Sequence, residues 1–182
     1  MKMKQILFTL FLLSSFYTIA QPYSTKDKKA IKLYEEAKKN YLLTYYNEAL
    51  KPGMQAIKRD SAFVEAYFIL AAVYKAQNKL DDDLQILQTC ANRNGKNYPE
   101  AFVILAEEQL EYGKYFDASN TMDIILSMKQ FFNQSEMKQI IDMKTRIDFC
   151  VYQYNHPVPF NPVNMGPEIN TANDEYEPAL TA

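Results

Sequence analysis

Apolar residues in the middle of this chain recur at helical intervals, and the helical segments recur in turn. Tyr67, Leu70, Ala71 and Tyr74 fall at i, i+3, i+4 and i+7, one face of a helix. Asn78-Lys79 interrupts the pattern, and Leu80, Leu84, Leu87 and Cys90-Ala91 make a second face. The same design follows as Phe102, Leu105, Ala106 and Gln109, a stop at Gly113 where positive φ is cheap, then Tyr115, Ala118, Met122 and Ile125. Spacing fixes the repeat: Ala37, Ala71 and Ala106 stand 34 and 35 residues apart. Leu33, Tyr67 and Phe102 share these two intervals, as do Tyr46, Leu80 and Tyr115, and Ala56, Cys90 and Ile125. A second small-residue site lies twelve residues beyond the first, at Ala49, Asp83 and Ala118.

The pattern predicts an all-α solenoid of about three helix pairs over residues 30–63, 64–98 and 99–132. Ser24 with Asp27 reads as a capping box for the first helix, and Asn133 with Glu136 as one for a closing helix over 135–154. Ile140, Ile141, Lys144, Ile147 and Val151 are the residues by which that helix would stack on the last pair. Pro99 sits near a first turn, where its missing N–H costs nothing.

The repeat resembles the tetratricopeptide repeat, most closely in the second unit. There the large–x–x–Leu–small signature stands as Tyr67-Phe68-Ile69-Leu70-Ala71, with Tyr74 at the next family position. Glu36 replaces a leucine and Gly53 an aromatic in the first unit, Asp83 replaces a small apolar residue in the second, and the proline that follows the second helix is absent. The structural positions carried over are Ala37, Ala49, Leu70, Ala71, Tyr74, Leu105, Ala106, Gly113 and Ala118. The resemblance implies a concave face lined by each first helix: Tyr34, Lys38 and Tyr41, then Phe68, Ala72 and Lys75, then Val103, Glu107 and Leu110. It implies a protein or peptide partner there.

The two ends differ from this middle. Lys2 and Lys4, an apolar core from Ile6 to Phe16, and Thr18-Ile19-Ala20 have the order of a cleavable secretory signal over residues 1–20. The apolar stretch is short for a membrane span, which needs about 20 residues. Cleavage would leave 18 basic against 22 acidic groups, and no transmembrane segment after it. At the other end, residues 155–182 form a connector rich in proline and asparagine, with Pro157, Pro159, Pro162 and Pro167 close together. Residues 161–171 and 174–182 resemble the lead-in to a WD40-like propeller in exported envelope proteins of Bacteroidetes type. In that family a signal and tetratricopeptide repeats come first, and an OmpA-like domain that grips peptidoglycan commonly follows.

That resemblance implies the front part of a longer propeller-containing protein, or a gene that ends here. It implies export to the periplasm or to the periplasmic face of the outer membrane. The role implied is a scaffold in an outer-membrane assembly, with the type IX secretion machinery as the candidate. Peptidoglycan would be reached only through domains absent here. The alternative is a free-standing periplasmic adaptor or chaperone, which needs only the solenoid.

Composition narrows the chemistry. Only 4 Gly argue against an all-β fold, while 14 Tyr and 11 Phe are enough aromatics to build a core. A net charge of -2 without a basic stripe gives no nucleic-acid footprint. His156 is the only histidine and lies in the connector, so no catalytic residue and no zinc site is expected. Asp81-Asp82-Asp83 lacks the turn glycine of a calcium loop and reads as acidic residues at a helix N-terminus, so no metal or cofactor is expected. Cys90 falls in the buried small column and Cys150 on the closing helix. With most of a repeat between them they are expected as free thiols, because bonded Cα atoms lie within about 7 Å.

Overall fold

The computed structural model describes residues 23–159. The expected signal at 1–20 and the expected propeller lead-in at 161–182 lie outside the described residues. Seven α-helices follow in order: α1 Lys28–Leu42, α2 Tyr46–Arg59, α3 Val64–Ala76, α4 Leu80–Asn94, α5 Glu100–Glu111, α6 Tyr115–Ser127 and, after a 3-10 turn at Lys129–Phe131, α7 Gln134–Asn155. No strand occurs among the described residues. Each helix packs on the next; α1 also touches α3, and α5 touches α7. The fold is therefore a stack of three hairpins closed by α7, with the first helices on one side.

Small residues explain the close stacking. Ala37, Ala49, Ala56, Cys90, Ala106 and Ala118 are wholly inaccessible, and Ala71 nearly so. Without large side chains in those columns, neighbouring helices approach and interdigitate. Tyr67, Leu70 and Leu105 fill the space left over, each 1% exposed. Burial of each such side chain is worth about 1.5–3 kcal/mol. Tyr74 is only half-buried.

The turns inside the pairs share a backbone device. Thr44, Asn78 and Gly113 take φ of 62°, 57° and 72° and lie in one register of the repeat. A left-handed residue ends the first helix of each pair and lets the chain double back.

The two expected capping boxes form differently. Asn133 Oδ1 accepts from the N–H groups of Ser135 and Glu136, while Glu136 accepts from the N–H of Asn133, completing the box. Ser24 does not cap α1. Asp27 is itself the cap, accepting from Lys29 N–H at 2.8 Å and Ala30 N–H at 3.1 Å. Ser24 serves α3 instead: its Oγ accepts from Val64 N–H at 2.9 Å and donates to Glu65 at 2.5 Å. Thr25 donates to Asp60, and Arg59 pairs with Asp27 at 2.8 Å. Residues 23–27 thus lace the junction of α2 and α3.

Closing helix α7 buries Ile140, Met143 and Ile147. Ile141, expected on that inward face, is 53% exposed, because it lies one step (about 100°) around the helix from Ile140. Lys144, expected there too, is spent on an ion pair with Asp148 at 2.5 Å. No helix among the described residues is long and apolar enough to cross a membrane.

Candidate functional site

Two grooves run over the first helices, on the side where the resemblance places a concave face. The first, about 330 Å³, spans α1, α3, α4 and α5, and its floor is Phe68, Ala71, Ala72, Leu87 and Ile104. Tyr41, Lys75, Asp83 and Glu108 edge it. The second, about 450 Å³, lies between α5 and α7, floored by Val103, Ile104, Ile140 and Met143. Phe131 and Phe132 flank it, and Glu100, Glu107 and Glu136 stand on its rim. Ile104 lines both, so the two grooves are neighbours on either side of its side chain, each with an apolar bed and a polar edge.

The expected concave-face residues are distributed unevenly over these two grooves. Tyr41, Phe68, Ala72 and Lys75 line the first groove, and Val103 and Glu107 the second. Tyr34 is drawn away into an aromatic cluster, its ring 5.2 Å from Phe63 and 5.4 Å from Tyr23. Lys38 lies 5.8 Å over the Tyr34 ring. Leu110 packs against the main core, as Phe68 and Val103 also do, but lines neither groove.

Lys75 is not a free cation. Its Nζ reaches Glu108 at 2.8 Å and Glu111 at 2.7 Å, and it stands 5.7 Å over the Tyr112 ring. Burial works to lower the Lys75 pKa, but the hydrogen bonds and charges of the two glutamates outweigh it and hold the ammonium on. Beside this pair, Tyr112 donates its hydroxyl to Asp83 at 2.5 Å. Asp83 is 1% exposed, and burial pushes its carboxyl above the usual range despite that hydrogen bond. Burial and the carboxylates of Asp83 and Glu108 push the Tyr112 phenol up as well.

Sequence reasoning missed Asp83, Leu87, Glu100, Ile104, Glu108, Phe131, Phe132, Glu136, Ile140 and Met143 as lining or edge residues. A signal existed for Glu108 and Glu111. They share one face of α5 and stand 33 and 36 residues from Lys75, about one repeat away, where first helices of successive pairs face each other.

Cys90 is buried, and desolvation pushes its thiol up to about 11. Cys150 is also a free thiol. His156 ends α7, exposed, with its ring stacked on Tyr152 at 4.2 Å. No cluster of three or more His, Cys, Asp or Glu among the described residues is placed to hold a metal ion.

No family model matches the chain. Tetratricopeptide repeat protein 21B of Homo sapiens is 26% identical over 114 residues, which cover 62% of this chain and 9% of that protein. The chain therefore spans less than a tenth of the length of that relative. Among solved structures, the tetratricopeptide domain of Sgt2 from Aspergillus fumigatus aligns with a TM-score of 0.58 at 17% identity, over 80% of this chain and 95% of that one. The TPR2B domain of yeast Sti1, solved as a complex with pHsp70, aligns at 0.55 and 19% identity over 66% and 97%. The TPR2AB domain of Sti1, solved as a complex with pHSP90, gives 0.56 and 16% over 80% and 53%. Helix order, small-residue columns and these likenesses agree that this chain has the fold of tetratricopeptide-repeat domains.

Proposed function

We propose that this chain is a non-catalytic interaction scaffold that holds a segment of a partner protein on the side formed by its first helices. The observation that carries the reading is the pair of neighbouring grooves that share Ile104, apolar below and charged at their edges. Such a surface supplies desolvated anchoring pockets with a polar rim, the usual anatomy of a protein interface. The Sti1 domains of the same fold, solved as complexes with pHsp70 and pHSP90, support it by analogy. We further propose that the chain acts in the cell envelope, exported by residues 1–20, in an outer-membrane assembly of the type IX secretion kind. The charge and apolar order of those residues supports export.

A photo-crosslinking residue placed at Phe68 or Ile104 in the producing cell should trap a discrete partner. The same residue at Gln85 or Ile124, on second helices, should not. Equal trapping at both sets, or none at either, overturns the binding face. Phe68 and Ile104 suit this test better than Tyr34, whose loss would disturb the Phe63 cluster. N-terminal sequencing of the cellular protein should begin at Gln21; an intact Met1 in the cytoplasm overturns the envelope assignment.

A further inference from the structure

We infer that the groove between α5 and α7 takes a basic, apolar peptide segment: an aliphatic or aromatic anchor with lysine or arginine within about a turn of it. The inference rests on the reading of the first-helix side as a binding face and names the chemistry of its partner.

The floor is apolar through Val103, Ile104, Ile140 and Met143, in a volume of about 450 Å³, within the range that receives side-chain-sized ligands. Phe131 stands at the lip with 56% of its surface exposed, an aromatic positioned to close over an anchor. Every charged residue lining this groove is acidic: Glu100 and Glu107 from α5, and Glu136 from α7. None of the four ion pairs among the described residues involves these three.

The helix N-termini beside Glu100 and Glu136, and the Asn133 N–H that Glu136 accepts, offset part of this charge, but no basic side chain lines the groove. Helix α5 contains four glutamates and no basic residue. The nearest cation on the neighbouring first helix, Lys75, is already held by Glu108 and Glu111. On α7, Lys138 lines a different depression beside Ile141. Charge of a single sign beside an apolar wall concentrates the field at the groove mouth and favours a cationic occupant. No metal-sized cluster forms from these carboxylates among the described residues. The charge is laid out along an edge, which fits side chains spaced along a peptide.

A random peptide display library panned against the full chain, expressed from its own N terminus, tests this. Enriched peptides should pair a large apolar residue with nearby Lys or Arg. Their binding, followed by fluorescence anisotropy, should weaken as salt rises. The triple variant Glu100→Gln, Glu107→Gln, Glu136→Gln should bind them about tenfold more weakly, equal to about 1.4 kcal/mol. It should also lose most of the salt dependence. A glutamine at the third helical position still completes a capping box with Asn133, so the fold is retained, which far-ultraviolet circular dichroism checks. Enrichment of neutral or acidic peptides that Ile104→Asp still abolishes overturns this inference and leaves the binding face standing. Basic peptides indifferent to the triple variant overturn it likewise. No enrichment of any peptide overturns the binding face and this inference together.

Discussion

In the third hairpin the chain turns from α5 to α6 through Gly113 at φ 72°; in the first, the same register position is Thr44 at φ 62°. Glycine takes this region without penalty, whereas a β-branched residue is crowded there. The second helices differ too. In α6 the backbone is regular, while α2 carries Pro52 and Gly53 in its interior, both buried. Charge separates the two hairpins further. Helix α1 has five lysines against two glutamates, whereas α5 and α6 together have six acidic residues and no basic one.

Local compensations hold the irregular hairpin in the common register. Pro52 cannot donate to the Glu48 carbonyl, four residues back. Asn40 on α1 donates to that carbonyl instead, at 3.2 Å. Gly53 gives up a side chain where α2 meets α3: a Cβ there would come within 2.7 Å of Leu70 Cδ2. Residues 23–27 then bind the base of the hairpin through Asp27–Arg59, Thr25–Asp60 and Ser24–Glu65. The third hairpin needs no such lacing. One register can thus be reached by regular sequence or by departures that repair each other.

The strongest challenge to this comparison is to make the first hairpin conform. Gly53→Phe installs the aromatic that the family pattern has at that position. Because Leu70 is 1% exposed and cannot withdraw, the ring overpacks the contact. The expected loss is about 3 kcal/mol, read from urea unfolding. Leu70→Ala alone should cost about 2–5 kcal/mol by opening a cavity. Combined with Gly53→Phe, it should cost less than the sum. Additive losses would mean that Gly53 is not small because of Leu70.

Next comes the buried carboxylate. Asp83 is held above its ordinary 3.8 chiefly by burial, partly offset by the Tyr112 hydroxyl, with Glu108 and Glu111 raising it and Lys75 lowering it. A raised folded value means that Asp83 favours folding fully below pH 3.8. That contribution is lost as pH rises through the folded value. Tyr112→Phe removes the donor to the ionised form, so the loss on approach to neutrality should grow by about 1–3 kcal/mol. Asp83→Asn should flatten this slope in either background. Asp27 in the first hairpin has the opposite sign. The Arg59 hydrogen bond, then the Ala30 N–H, lowers it to about 2, so its contribution is present above 3.8 and fades as pH falls toward 2. Unfolding measured against pH in Arg59→Ala and Tyr112→Phe should therefore change opposite limbs of the profile.

The turn residues give a smaller effect of paired sign. Thr44→Gly relieves a left-handed β-branched residue and should stabilise by about 1 kcal/mol. Gly113→Thr imports the same strain and should cost about the same. Thermal unfolding of both variants checks the pair. Equal and like-signed shifts would show that the two turns are not equivalent.

These sites also mark where the sequence was legible. The columns Ala37/Ala71/Ala106 and Ala56/Cys90/Ile125 could be read because a repeating backbone buries an apolar residue at the same interval, of one size in the first column and of growing size in the second. Gly113 and the Asn133–Glu136 box could be read because their chemistry is local. Thr44 gave no sign of its φ, since threonine ordinarily avoids that region. Pro52 is unreadable as helix interior without Asn40, which comes from another helix. The candidate site was legible in position and not in charge state. Phe68, Ala72 and Lys75 do face a groove, but only tertiary structure shows Lys75 neutralised across a repeat and Ile104 lining both grooves.

The smallest effect is the most specific test of mutual repair. Asn40→Ala should cost about 0.5 kcal/mol, the low end for a partly exposed hydrogen bond. In a Pro52→Ala background residue 52 again has an N–H for the Glu48 carbonyl, so losing Asn40 should cost almost nothing. The difference between the two costs is the coupling, and a double-mutant cycle measures it independently of the packing that Pro52→Ala itself disturbs. If Asn40→Ala costs the same with and without the proline, the Asn40 hydrogen bond is incidental. The first hairpin would then owe its register to Gly53 and the N-terminal lacing alone.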